Sequence, residues 1–378
     1  MSSVLTQDEK YMMQALKLAS CGLYTSYPNP AVGCVIVRDG KVIGKGYHHK
    51  AGEPHAEIMA LTDASFDVEG ATAYVTLEPC SHYGRTPPCA LRLIEQKVSR
   101  VVVAAGDPNP KVSGRGFKMM EDAGIEVVPH VLEEKSLFQN RAFMKSIVSS
   151  HPYVSVKTGM SLDAKTALGD GQSKWITSDK SRMKVQDIRA KSDCILTTAA
   201  TVIADDPKMN VRYETFPEKI LKKIDKKFIR QPLKVIVDSK NVLDIELYQI
   251  FKEGKVLLVN ATDDTELYLK EEKVNDVVTR LYLPEQNGHV NLDDLLVSLS
   301  EMQIRRVMVE AGSTFVSALL DLGFVDEIYA FIAPKILGKG ARDAFVTAPL
   351  ANLNQKPAFK LHSVKTYGDD VLMHYLKA

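Results

Sequence analysis

Residues 76–89 read TLEPCSHYGRTPPC, and residues 55–57 read His-Ala-Glu. Cys80 follows residues 72–77 (TAYVTL), a run rich in β-branched and aromatic side chains that predicts a strand. His55 stands where a helix to about Asp63 is expected to start, and Cys89 near the start of a second helix, about Pro88 to Gln96. One imidazole and two thiols offer zinc three ligands and leave its fourth tetrahedral position for water. That is the arrangement of a catalytic zinc, because a structural site closes with four protein ligands. The metal lowers the pKa of its water to near 7. Glu57, two residues beyond His55, can stand beside that water without binding the metal, take its proton and deliver it to a departing amine. This combination is the signature of zinc deaminases acting on amino-heterocycles.

The spacing departs from the general deaminase form, in which two residues separate the cysteines; here Ser81 to Pro88 intervene. A purely structural zinc would need a fourth ligand. His82 is the nearest candidate and stands too close to Cys80 to reach round comfortably. Two further segments belong near the same place. Pro28-Asn29-Pro30 is a rigid turn that could present the Asn29 amide to a heterocycle edge, and it makes equal sense as a plain turn. His48 could contact substrate or be a surface histidine.

Around this core the first half predicts a mixed sheet flanked by helices. Thr6 and Glu9 fit a capping box, with Met12, Met13, Leu16 and Ala19 at helical spacing and Gly22 as C-cap. Residues 32–38 read as a buried strand, Asp39-Gly40 as a hairpin turn and 41–47 as the return strand. Strands at 101–105 and 125–128 alternate with helices, giving an α/β pattern. One helix over 133–148 leads to His151-Pro152, which cannot sit comfortably inside a helix. The boundary is therefore placed there, with domains 1–150 and 151–378. The second half restarts with a strand at 153–158 and continues with strands near 193–197, 234–238, 255–259, 306–310 and 328–333, again α/β. The lysine-rich stretch 218–230 reads as a solvated surface helix or insertion.

Composition sets the outer limits. The 378 residues fit two domains of ordinary size. A net charge of +1 gives no reason to expect nucleic acid or an anionic membrane as a partner. There is no apolar run long enough for a membrane span, and the first residues lack a basic then apolar export signal, so a cytoplasmic location is expected. In a reducing compartment Cys21, Cys34, Cys80, Cys89 and Cys194 are thiols or metal ligands rather than disulfides. A symmetric homo-oligomer is compatible with a two-domain enzyme of this size.

The strings TSYPNPAVGCVIV, GYHHKAGEPHAE and ATAYVTLEPCSHYGRTPPC resemble the bifunctional deaminase–reductase of riboflavin biosynthesis. The resemblance covers the whole chain and accounts for the long spacer between the cysteines. It implies an N-terminal cytidine-deaminase-like αβα domain with a mixed sheet and a C-terminal dihydrofolate-reductase-like α/β domain. The first would deaminate a diaminohydroxy-phosphoribosylaminopyrimidine, a small pyrimidine ribotide. The second would use NADPH to reduce the ribosyl group to ribityl. The resemblance places the zinc ligands on His55, Cys80 and Cys89, the proton carrier on Glu57 and substrate contacts on Asn29, His48, His82 and Arg85. A guanidinium at Arg85 also suits a ribose phosphate on its own chemistry.

In the second half no Gly-x-Gly-x-x-Gly follows a strand, so a Rossmann nucleotide site is not supported. Val309 to Ser313 reads as a strand ending in a tight turn that opens a helix, whose N–H groups could hold a phosphate. Leu337 to Gly340 is a second flexible turn. KTGMSLDAKTALGDGQSKWITS, IRAKSDCILTTAATVIADDP and VEAGSTF resemble the family's reductase. That resemblance places NADPH contacts on Gly159, Trp175, Thr201, Asp205, Ser239 and Gly312, and substrate contacts on Ser173, Arg189, Met209, Arg212 and Glu310. Trp175 alone reads as a core or lid aromatic. Arg189 and Arg212 could clamp a phosphate or be ordinary surface arginines. Glu310 and Asp163 are the carboxylates to examine for a proton role. One departure stands out: the family pattern has Gly after Ser-Leu-Asp, and this chain has Ala164. A base or nucleoside deaminase with an unrelated fused domain, and a zinc-stabilised binding protein, are the competing readings. The first would carry the short cysteine spacing, and the second would have no use for Glu57.

Overall fold

The computed structural model describes residues 4–83, 87–109, 113–222, 224, 226–349, 351–352 and 358–378. They form two compact units. One comprises residues 1–150 together with 218–230, and the other 151–217 with 231–378. The lysine-rich stretch, placed within the second half by the sequence, therefore lies with the first unit.

The first unit opens with α1 (Gln7–Gly22), whose expected capping box is present: Glu9 N–H donates to Thr6 Oγ1 and Thr6 N–H to the Glu9 carboxylate. The C-cap is Leu23, one residue beyond the expected Gly22. Then come β1 (Gly33–Arg38), β2 (Lys41–Tyr47), α2 (Ala56–Asp63), β3 (Thr72–Val75), α3 (Cys89–Glu95), β4 (Arg100–Val103), α4 (Arg115–Asp122) and β5 (Glu126–Val128). The strand order is β2-β1-β3-β4-β5, with antiparallel pairing around β1 and parallel pairing from β3 to β5. The side chains of β1 alternate between faces as strand geometry requires. Cys34 and Ile36 join the core under α2, α3 and α4, while Val35 and Val37 join the core under α1. Residues 133–148 form two helices rather than the single one expected: α5 (Glu133–Gln139) and α6 (Arg141–Val148). Asn140 between them is buried, and its side-chain amide bonds both backbone groups of Ala31 at 2.8 and 3.0 Å. The break satisfies the chain just before β1 at the expense of one continuous helix.

The second unit contains β6 (Tyr153–Ser161), β7 (Lys165–Ala167), α7 (Asp179–Ala190), β8 (Cys194–Thr198) and α8 (Ala199–Asp205). The chain then passes through α9 (Glu218–Leu221), which belongs to the first unit, before resuming. It continues with β9 (Leu233–Val237), β10 (Val256–Thr262), β11 (Glu271–Lys273), β12 (Val278–Gln286), β13 (His289–Val290) and α10 (Leu292–Glu301). The last elements are β14 (Arg306–Val309), α11 (Ser313–Asp321), β15 (Glu327–Ala333), β16 (Arg342–Asp343), β17 (Phe359–Tyr367) and β18 (Asp370–Lys377). The main sheet runs β11-β12-β10-β9-β8-β14-β6-β15-β18-β17, parallel from β12 to β15. The antiparallel β17–β18 hairpin completes one edge. The central strands of the main sheet are largely apolar and buried because both faces are covered, with Ser155, Thr197 and Lys234 among the buried polar exceptions.

Candidate functional sites

The zinc-ligand candidates are brought together by a close approach of helix to strand. A Cβ at Gly44 would lie 2.3 Å from Ala60 O, and one at Gly46 would lie 2.6 Å from Ala60 N. Only glycine lets α2 settle this deeply on β2. His55 is the N-cap of α2 and Glu57 sits in its first turn. Cys80 follows β3, and Cys89 is the first residue of α3. His55 Nδ1 lies 3.6 Å from Cys80 Sγ and 3.4 Å from Cys89 Sγ, and the three ligand atoms all lie within 4.8 Å of one another. Tetrahedral bonds of about 2.3 Å to sulfur and about 2.0 Å to nitrogen set ligand edges of roughly 3.6 Å, so the trio fits zinc. Among the described residues it is the one such cluster of three or more histidine, cysteine or acidic groups.

The electrostatics agree. The Cys89 thiol and His55 hold Cys80 down to about 4, while Cys80 and burial push Cys89 up. His55 is pushed up to about 9 by its contact with Cys80. Without a cation the three groups share protons among themselves, and a divalent ion would displace those protons. Glu57 is buried, and burial pushes its carboxyl up to about 7 despite nearby His55.

His48 is buried, which removes the surface reading. Its Nδ1 faces Pro54 O at 3.1 Å, and its Nε2 faces Asn29 Nδ2 at 3.0 Å. A carbonyl can only accept, so Nδ1 carries the hydrogen and Nε2 accepts from the Asn29 amide. Burial pushes His48 down to about 4, which keeps that neutral tautomer. The His48 ring meets His55 edge-on at 5.2 Å. Asn29, His48, His55, Glu57, Cys80 and Cys89 thus form one locality. His82 is exposed. Arg85 lies outside the described residues.

Sequence reasoning missed Glu78, although it stands inside the quoted string. Its buried carboxylate accepts from Asp107 N–H at 3.3 Å, Gly114 N–H at 3.1 Å and Gly116 N–H at 3.0 Å. A Cβ at Gly116 would meet Pro79 O at 2.3 Å, so the start of α4 is pressed against the peptide that precedes Cys80.

In the second unit a cleft of about 1540 Å³ is lined by all six positions expected to touch NADPH: Gly159, Trp175, Thr201, Asp205, Ser239 and Gly312. Ser173, Arg189, Met209, Arg212 and Glu310 line it too. The turn after β14 opens α11 as expected. Gly312 is its N-cap, no side chain caps it, and a Cβ there would meet nothing within 4 Å. The helix N-terminus is thus open to a phosphate, which fits a dinucleotide. Ser239 Oγ accepts from Val290 N–H at 3.0 Å, and Ser173 Oγ lies 3.4 Å from Asp205 Oδ1. Trp175 is 64% exposed with the Arg182 guanidinium 4.2 Å from its ring centre, so it is no core residue. Arg189 forks onto Glu310 at 2.5 and 3.0 Å. Burial pushes the Glu310 carboxyl up, but Arg189 and Lys157 outweigh it and hold the group below the usual carboxylate range. Lys157, which sequence reasoning also missed, lines the cleft 4.0 Å from Glu310, and burial lowers its pKa.

Asp163 is committed elsewhere. It accepts from Ser161 Oγ, Leu337 N–H and Gly338 N–H, which hold it down to about 2 and pin the Leu337 to Gly340 turn. Ala164 has φ +56°, the left-handed region, which is the physical reason a glycine suits that position.

The comparisons with known proteins match both halves. The model for the RibD C-terminal domain matches residues 152–373. That for the cytidine and deoxycytidylate deaminase zinc-binding region matches 5–105. The riboflavin biosynthesis protein RibD of Escherichia coli is 43% identical over 98% of this chain and 100% of its own length. That of Aquifex aeolicus is 37% identical over 97% and 98%. The solved RibD of Acinetobacter baumannii superposes with a TM-score of 0.86 at 41% identity, covering 98% of this chain and 99% of that one. A Thermotoga maritima diaminohydroxyphosphoribosylaminopyrimidine deaminase/5-amino-6-(5-phosphoribosylamino)uracil reductase gives 0.85 at 34%, with the same coverage. With a cytidine-deaminase-like α/β unit, a reductase α/β unit and relatives matched end to end, the chain belongs to the RibD family of bifunctional deaminase–reductases in riboflavin biosynthesis.

Proposed function

We propose that residues 1–150 carry the deamination and residues 151–378 the reduction, on the groups assembled above. The observation that carries the first assignment is the His55, Cys80 and Cys89 trio with buried Glu57 beside it. Bound zinc supplies a water of lowered pKa. Glu57 takes the proton as water oxygen bonds to the amine-bearing ring carbon. As the carbon–nitrogen bond breaks, the same carboxyl gives that proton to nitrogen and ammonia leaves. His48 and Asn29 hold the heterocycle edge, and the family resemblance assigns His82 and Arg85 to contacts with the ribotide.

In the second unit bound NADPH would supply hydride to the ribosyl C1′ as its bond to the ring oxygen breaks, and that oxygen takes the proton to become a ribityl hydroxyl. Gly159, Trp175, Thr201, Asp205, Ser239 and Gly312 seat the cofactor, with Gly312 at the open helix end. Ser173, Met209 and Arg212 seat the substrate. Glu310, held charged by Arg189, keeps Lys157 in place, and Lys157 supplies the proton that reduction consumes. Both substrates are small molecules. We place the enzyme in the cytoplasm, where zinc-ligating thiols stay reduced, and assign it no nucleic-acid or membrane partner; a homo-oligomer is compatible with this reading. Among the described residues no helix is long and apolar enough to cross a membrane.

The test is a two-stage assay on zinc-loaded protein with the diaminopyrimidine ribotide. Ammonia release followed by NADPH oxidation near 340 nm is expected. NADPH oxidation without prior ammonia release would overturn the order, and neither signal with zinc bound would overturn the substrate.

A further inference from the structure

The first unit includes residues 218–230, drawn from the middle of the second unit's sequence. Two of its side chains land on two neighbouring loops. Phe228 meets the His49 ring edge-on at 6.0 Å, and His49 is itself stacked on Tyr47 at 4.0 Å. The Lys50 ammonium lies 5.7 Å from the Phe228 ring centre. The Arg230 guanidinium lies 4.9 Å from the ring centre of Tyr27. Tyr27 is two residues before Asn29, and His49 is one residue after His48. Asn29 and His48 are the hydrogen-bonded pair at the proposed substrate edge. Neither loop belongs to a helix or strand at these positions; His48 N–H donates to Val32 O and Asn29 N–H to Ser26 O, each at 2.9 Å, while the side chains of Tyr27 and His49 extend beyond those bonds to meet the segment. Aromatic and cation–ring contacts of this kind are directional as well as attractive, so they fix where a loop sits.

We infer that Phe228 and Arg230 are positioning residues for the deaminase: they clamp the Tyr27–Asn29 and His48–Lys50 loops so that Asn29 and His48 meet the substrate in register. The inference rests on the proposed role of Asn29 and His48. It makes the lysine-rich stretch part of the deaminase although it is encoded within the reductase half. The clamp acts on binding of the heterocycle and leaves the Glu57 proton transfer alone. Its loss therefore raises KM while kcat holds.

The experiment compares Asn29→Ala, Phe228→Ala, Arg230→Gln, Phe228→Tyr and Arg230→Lys in the zinc-loaded full chain. Deamination is followed by ammonia release, and reduction by NADPH oxidation on deaminated substrate. Phe228→Ala and Arg230→Gln are each expected to raise the deamination KM about tenfold, equivalent to about 1.4 kcal/mol. Their kcat and zinc content should stay within about threefold, and the reduction step should not change. Phe228→Tyr and Arg230→Lys keep a ring and a cation in place and should restore KM. If Asn29→Ala raises KM and the two clamp variants do not, the clamp is wrong and the substrate edge stands. If Asn29→Ala leaves KM unmoved, the substrate edge is wrong and the clamp falls with it. A loss of zinc or of kcat in step with KM would mean that the segment only holds the fold together.

Discussion

Replacing Glu78 by Gln tests whether the loop behind Cys80 is held by charge. The substitution keeps size and shape and changes one oxygen into an amide nitrogen. In the native chain Oε2 accepts from Asp107 and Gly114, and Oε1 from Gly116. The best orientation of a glutamine keeps its oxygen toward the two donors and turns its NH2 toward Gly116 N–H. One bond to a charged acceptor is lost, worth about 1.5–3 kcal/mol, and the other two lose their charge assistance. A total near 3 kcal/mol is expected for the first unit. With a urea slope of about 2 kcal/mol/M, the midpoint should fall by roughly 1.5 M. The two units need not unfold together, so the transition is best followed through zinc release to a chromophoric chelator, which reports the first unit alone. Reduction of deaminated substrate should be unaffected. A midpoint within about 0.3 M of the parent would refute the view that this carboxylate secures Cys80.

Glu57→Gln should keep zinc, measured by metal analysis, and slow ammonia release by about 10²–10⁴-fold; a near-parental rate would remove the residue from proton transfer. Lys157→Ala should slow NADPH oxidation by a similar factor of roughly 10²–10⁴ while leaving NADPH affinity by fluorescence titration unchanged. A rate within about threefold would send the proton to another group. Ala164→Gly relieves a left-handed residue at φ +56° and should stabilise the second unit by about 1 kcal/mol. Calorimetry should then show its midpoint rising by about 3 °C, and a fall would contradict the strain argument.

Local rules carried much of the fold. The β1 alternation, the Asp39-Gly40 hairpin and the Thr6 capping box depend on near neighbours, and each was read from adjacent residues. The zinc trio and Glu57 were legible because their residue types are rare together. What stayed hidden depends on distant partners. Asn140 interrupts a helical pattern for the backbone of Ala31, 109 residues away. Glu78 serves donors 29 to 38 residues further on. Lys157 reaches Glu310 only because β6 pairs with β14 in a register that sets Val156 beside Val309. The β17–β18 hairpin was not read at all: six of the nine β17 side chains are exposed and the other three half-buried, so no alternation of period two marks the strand.

The detour of residues 218–230 through the first unit has a consequence for engineering. A chimera joined at 150/151 would take these thirteen residues from one parent and the surface that receives them from another. Exchange between relatives should work best when 218–230 travels with the N-terminal half, as a second crossover pair around the segment. The same holds for splitting the gene: one cut between 150 and 151 yields two polypeptides, but it assigns part of the first folded body to the second.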